Sequence, residues 1–136
     1  MTESPEETSQ LARRFAKRLV PGDWVGLIGA LGAGKSVFAR AVGEEWGVQT
    51  AMSSPSYTLM NAHRGHCMIY HVDLYRVGSP DELDFAGLTQ YFAGAGICLV
   101  EWPERARSMW PERGWTVSFE VIGPNTRRIT IERFGT

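Results

Sequence analysis

The chain has 136 residues, of which 43% are hydrophobic and 21% charged, and a formal net charge of −1. Such proportions exclude a disordered, collagen-like or coiled-coil chain, and the near-neutral balance argues against a strongly basic nucleic-acid surface. No apolar run approaches the roughly 20 residues that span a bilayer, and residues 1–20 lack the apolar segment of a signal peptide. The expectation is therefore one domain over residues 1–136, cytoplasmic, with no membrane or DNA partner. Cys67 and Cys98 lack metal-ligand spacing and read as buried thiols in a reducing compartment.

In chain order, Ser4-Pro5-Glu6-Glu7 is a capping box that opens a helix. Leu11, Phe15 and Leu19 give that helix one apolar face, and Pro21-Gly22 is expected to stop it. Trp24 to Ile28 reads as a buried strand. A glycine-rich stretch then leads into a helix whose apolar face is Val37, Phe38, Ala41, Val42 and Trp46, with Gly47 at its C-terminal cap. After a polar loop at 53–56, Tyr57 to Met60 is expected as a strand, 61–67 as a hairpin turn, and Met68 to Val72 as the return strand ending at Asp73. A second capping box, Ser79-Pro80-Asp81-Glu82, begins a short helix, and Leu88, Tyr91 and Phe92 continue a helical face. Ile97 to Val100 is uniformly apolar, as in a strand covered on both sides, and Glu101 ends it. Residues 104–109 suggest a short helix, Trp115 to Val121 alternate as a half-buried strand, and Ile129 and Ile131 mark a last strand.

Residues 29–36, Gly-Ala-Leu-Gly-Ala-Gly-Lys-Ser, match the P-loop spacing between an apolar strand and an amphipathic helix. In such a loop glycines let backbone amides at Leu31, Gly32, Ala33 and Gly34 converge on phosphate oxygens, and the following helix adds its unpaired N–H groups. Lys35 supplies a point charge to the outer phosphates, and the Ser36 hydroxyl is a ligand for Mg²⁺. The expected fold is α/β, a small P-loop NTPase domain with a mixed central sheet flanked by helices.

Phosphoryl chemistry also needs a carboxylate at the end of a buried strand. Asp23 precedes its strand, and Asp81 and Asp84 fall in a capped helix, which leaves Asp73 among the aspartates. Among the glutamates, Glu101 directly follows an apolar run. Either or both serve the metal or orient the attacking water; the alternatives are a turn cap for Asp73 and a rim ion pair for Glu101. No lysine is followed two residues later by aspartate, so a guanine-reading motif is absent and ATP is favoured.

Weaker features stay open. His63, His66 and Cys67 are read as a solvated turn rather than a metal cluster. His71 either orders Asp73 or is a satisfied interior histidine, and Arg76 either reaches phosphate or pairs with a helix carboxylate. Trp102 is core or stacking platform. Arg105, Arg107 and Arg113, and the pair Arg127-Arg128, are read as solvated faces.

Four segments together resemble the bacterial tRNA threonylcarbamoyladenosine biosynthesis ATPase family, TsaE. They are the P-loop at 29–36, Ser-Pro-Ser-Tyr-Thr-Leu at 54–59, His-Val-Asp-Leu-Tyr-Arg at 71–76 and Val-Glu-Trp-Pro-Glu at 100–104. The resemblance covers residues 4–131. It implies an enzyme that binds ATP with Mg²⁺, hydrolyses it weakly alone, and works with TsaD and TsaB on tRNAs that read codons starting with A, meeting tRNA indirectly through that complex. It further implies phosphate and metal roles for Lys35 and Ser36, a switch-like loop at Ser56, and service to Mg²⁺ and water from Asp73 and Glu101. By the same likeness Trp102 lies near the nucleotide and Ser4 near its base. The chain departs from the pattern at Ala30, where an acidic residue is usual, and at Ser36 and Ser56, which keep the hydroxyl of the commoner threonine. Two other classes would use the same cradle: a small-molecule kinase, which needs an acceptor pocket and an arginine-rich lid, and a nucleotide-gated binding module without turnover.

Overall fold

The computed structural model describes residues 1–49, 59–76 and 94–135. The element order is α1 (Pro5–Ala16), β1 (Trp24–Ile28), α2 (Lys35–Glu45), β2 (Met60–Arg64), β3 (Met68–Asp73), β4 (Ile97–Glu101), a 3-10 segment (Pro103–Met109), β5 (Gly114–Val121) and β6 (Arg127–Phe134). The expected helix at 79–86, its continuation to Phe92 and the switch-like loop at Ser56 lie outside the described residues.

Local chemistry accounts for the helices. Ser4 sits in extended backbone and its side chain accepts the Glu7 amide at 3.1 Å, with Pro5 opening the helix. The return contact of the box goes to the Glu3 amide, at 3.2 Å from Glu7 Oε1, rather than to Ser4. Helix α1 ends at Ala16, earlier than Pro21-Gly22 implies, because Lys17 caps it and the turn bonds Arg18 N to Phe15 O and Leu19 N to Ala16 O take over. Leu19 is still buried beyond the helix end. Helix α2 closes on Trp46, with Gly47 at φ 89° as expected of a left-handed cap.

The strands form one mixed sheet in the order β2-β3-β4-β1-β5-β6. The inner strands β3, β4, β1 and β5 run parallel, and the hairpin partners β2 and β6 run antiparallel at the two edges. Parallel strands need cover on both faces. Val25, Leu27, Ile69, Leu99 and Val117 pack on one face with Phe15, Phe38 and Val42 of the helices. Trp24, Val72, Cys98 and Val100 pack on the other with Leu74, Ala106, Trp110 and Phe134.

Two expectations are corrected at the β2 edge. Residues 61–64 are strand rather than turn, paired from Met60↔Val72 to Arg64↔Met68, so the turn is only 65–67. An edge strand with one wet face tolerates Asn61, His63 and Arg64, and their polarity hides the strand. His63 therefore belongs to β2 rather than to the turn. Among the described residues no three histidine, cysteine or acidic side chains are grouped to hold a metal. Cys67 and Cys98 form no disulfide; Cys98 is buried as expected, but Cys67 is half-buried. Among the described residues no helix is long and apolar enough to cross a membrane.

Candidate functional site

The sheet brings the site residues together through its register. Asp73 at the end of β3 pairs with Glu101 at the end of β4, and Glu101 pairs with Leu27 on the other side. One residue after Leu27 the chain leaves β1 and enters the glycine-rich loop. The sequence distance between Ser36 and Asp73 thus closes at the carboxyl edge of the sheet, where open α/β sheets hold ligands.

The loop is shaped by left-handed backbone at Gly32 (φ 78°) and Gly34 (φ 106°), which side chains disfavour. Ala33 N donates to Ala30 O at 3.1 Å, and the first bond of α2 runs from Phe38 N to Gly34 O at 3.0 Å. The amides of Lys35, Ser36 and Val37 precede any intrahelical acceptor, so they and the helix dipole are available to an anion.

A cavity of about 490 Å³ opens beside this loop, lined by Leu31, Lys35, Ser36, Asp73, Glu101 and Trp102 among others. Of the residues singled out from sequence, Gly32 and Gly34 also line it. Ala33 is instead buried beneath the loop in the core around Phe38. Ser4 lies at a second, smaller cavity of about 110 Å³ behind the loop, together with Thr8, Gly32, Gly34, Asn125 and Arg127.

Lys35 is only 4% exposed. Its Nζ donates to Gly29 O at 2.7 Å and lies 3.8 Å from the centre of the Trp102 ring. Burial holds its pKa below the usual lysine value, opposed by the negative charges of Glu101, Glu104 and Asp73. Trp102 reaches that position through left-handed backbone at φ 58°, an uncommon conformation for a bulky side chain. Its ring also meets Tyr75 at 5.0 Å between centres, so it stands in the cavity wall and faces the ammonium.

Glu101 is buried, and one of its oxygens receives two donors. His71 Nε2 lies 2.6 Å from Oε2, and Ser36 Oγ lies 3.3 Å from the same atom. An ionised carboxylate only accepts, so His71 donates from Nε2. His71 Nδ1 is buried and has no hydrogen-bond partner among the described residues. The remaining oxygen, Oε1, has no hydrogen bond among the described residues. His71 thus orders Glu101 rather than Asp73, a correction to the first of the two readings above: the side chain reaches across to β4 instead of along β3. Asp73 Oδ1 accepts the Tyr75 amide at 2.9 Å, so Asp73 caps a turn while it also lines the cavity.

This donor set fits a hard divalent cation beside a phosphate chain. Ser36 Oγ, Glu101 and Asp73 offer only oxygen, as Mg²⁺ prefers, and Lys35 and the loop amides offer only positive charge. Arg76 lines the same cavity. Arg105 lies over the Tyr75 ring at 5.7 Å, Arg107 over Trp110 at 4.8 Å, and Arg128 pairs with Glu120 at 3.4 Å on the surface. Arg127 departs from the solvated-face reading, since its guanidinium turns back onto the glycine-rich loop. Nothing in the local sequence marks it, because the contact spans the interval from Ala33 to Arg127.

Comparison with known proteins agrees with the geometry. Residues 2–129 match the family model described as threonylcarbamoyl adenosine biosynthesis protein TsaE. The chain is 36% identical over 135 residues to the tRNA threonylcarbamoyladenosine biosynthesis protein TsaE of Bacillus subtilis, covering 98% of this chain and 84% of that one. It is 38% identical over 124 residues to the protein of the same name from Haemophilus influenzae, covering 85% and 78%. A crystal structure of YdiB from Bacillus subtilis superposes with a TM-score of 0.79 at 32% identity, over 98% of this chain and 82% of that one. A glycine-rich loop ahead of a buried carboxylate pair and a match over nearly the whole chain lead to one assignment: the chain belongs to the TsaE family of tRNA threonylcarbamoyladenosine biosynthesis proteins.

Proposed function

We propose that the chain binds ATP with Mg²⁺ in the cavity at the glycine-rich loop and hydrolyses it as the nucleotide-driven component of a threonylcarbamoyladenosine assembly with TsaB and TsaD. The observation that carries this reading is the convergence of Lys35, Ser36 and Glu101 at the carboxyl edge of the sheet. The loop amides and Lys35 take the phosphates, exchanging the Gly29 carbonyl and the Trp102 face for phosphate oxygens. Ser36 and Glu101 hold the metal, with Asp73 beside them as ligand or through water. Bound there, the metal would neutralise charge on the phosphates. The His71 bond holds one Glu101 oxygen and leaves the other facing metal or water. The smaller cavity at Ser4 and Asn125, reached by way of the loop, suits the nucleoside end. The partners join tRNA to this chain, whose net charge of −1 gives it little general attraction for RNA. Cytoplasmic residence follows from that substrate.

Titration calorimetry with ATP and Mg²⁺ tests the reading. Lys35→Ala removes a charge-assisted contact worth ~1.5–3 kcal/mol, so affinity falls roughly 10–150-fold. Equal affinities for parent and variant refute the site. Hydrolysis rises on adding TsaB and TsaD; a rise on adding small hydroxyl acceptors instead identifies a kinase.

A further inference from the structure

Arg127 begins β6 and is half-buried, yet among the described residues no carboxylate pairs with it. Its guanidinium is satisfied by four backbone carbonyls. Nε donates to Ala33 O at 3.1 Å and Nη2 to Gly32 O at 3.2 Å, both in the glycine-rich loop. Nη1 donates to Gly123 O at 2.9 Å and Thr126 O at 3.1 Å, both in the turn between β5 and β6. The backbone of the same residue pairs with Thr2 in both directions, at 2.9 and 2.8 Å. Thr2 Oγ1 in turn lies 2.8 Å from Thr8 Oγ1 on α1.

We infer that Arg127 is a positioning residue for the phosphate cradle: it clamps the outer carbonyls of Gly32 and Ala33 to the β5–β6 turn and so fixes the direction of the loop amides before any ligand arrives. A loop with glycines at alternate positions has more backbone freedom than any other stretch, and each peptide that turns its carbonyl inward presents a repulsive oxygen to phosphate. Charge-assisted bonds on two successive carbonyls remove that alternative. Only a planar, permanently charged fork reaches both the loop and the turn; one ammonium group satisfies either side but not both. The charge behind the loop, which pairs with no carboxylate among the described residues, also adds to the positive field that phosphates meet. The proposal rests on the nucleotide reading given above for its effect on binding, but not for its effect on the loop.

The test separates the two. Amide hydrogen exchange of residues 29–36 is measured without nucleotide in the parent, Arg127→Met and Arg127→Lys, and nucleotide affinity is measured by calorimetry with Mg²⁺-ATP. In Arg127→Met, loop exchange is expected to rise about tenfold while β1 and β4 keep their protection, with affinity falling about tenfold in parallel. Arg127→Lys is expected to lie between on both readouts, and it decides the matter if the methionine variant does not fold. Parental exchange in the loop overturns the proposal, even where affinity drops, because that pattern assigns Arg127 to direct nucleotide contact. A parent that binds no nucleotide overturns the functional reading, and the exchange result still decides the clamp.

Discussion

Glu101 shows how one side chain is divided between structure and chemistry. Its Oε2 is committed to His71 at 2.6 Å and Ser36 at 3.3 Å, while its Oε1 has no hydrogen bond among the described residues. Glu101→Gln keeps the length and one accepting oxygen but removes the charge that a metal or a water proton needs. Hydrolysis with TsaB and TsaD is therefore expected to fall about 10²-fold while ATP affinity changes far less; equal losses in both would make Glu101 a binding residue only. Cys98 gives a prediction with a pH sign. Burial pushes its thiol up from 9.0 to about 12. Between those values the folded chain keeps a proton that the unfolded chain releases, so its contribution to stability is full below pH 9 and is lost as pH rises toward 12. Cys98→Ala removes that loss. The stability gap between parent and variant in urea unfolding is expected to narrow from pH 8 to pH 11, and a constant gap contradicts the burial account.

At the level of elements, legibility followed how completely an element declares its own environment. Strands β1 and β4 are buried on both sides, and their uninterrupted apolar runs marked them to within a residue. Strand β2 escaped because, beyond Met60, its side chains are polar or exposed. The cap of α1 was readable at Ser4, but its end was not, since a turn of tail bonds at Phe15 and Ala16 carries no residue signature. The glycine before β4 is an element-scale test. A Cβ on Gly96 would lie 2.5 Å from the Tyr70 ring and 2.7 Å from Met68 O, so β3 and β4 approach closely only because that position is bare. Gly96→Ala forces the two strands apart where they begin and is expected to cost ~1–3 kcal/mol in urea unfolding. An unchanged midpoint would show that this approach is not needed for the β3–β4 pairing.

For the whole molecule, the cavity is a product of topology rather than of any one segment. The P-loop, Asp73 and Glu101 were each visible as residues, but that β3, β4 and β1 are neighbours, in that order, was not written in any local pattern. Arg127 and the Thr2 bridge lay further from reach, because they depend on the chain's two ends meeting behind the loop. A site assembled from distant segments exists only in the folded state, so a ligand that binds it stabilises the whole fold. With Mg²⁺-ATP at about 100 times its dissociation constant, the stabilisation is ~2.7 kcal/mol, on the order of several degrees in Tm for a chain of this length. Lys35→Ala keeps only about 0.3–1.4 kcal/mol of that stabilisation at the same nucleotide concentration, because its affinity is roughly 10–150-fold lower. Thermal unfolding by circular dichroism, with and without nucleotide, decides it. A parent whose Tm ignores saturating Mg²⁺-ATP has no nucleotide site coupled to its fold, while equal shifts in parent and variant place the nucleotide away from Lys35.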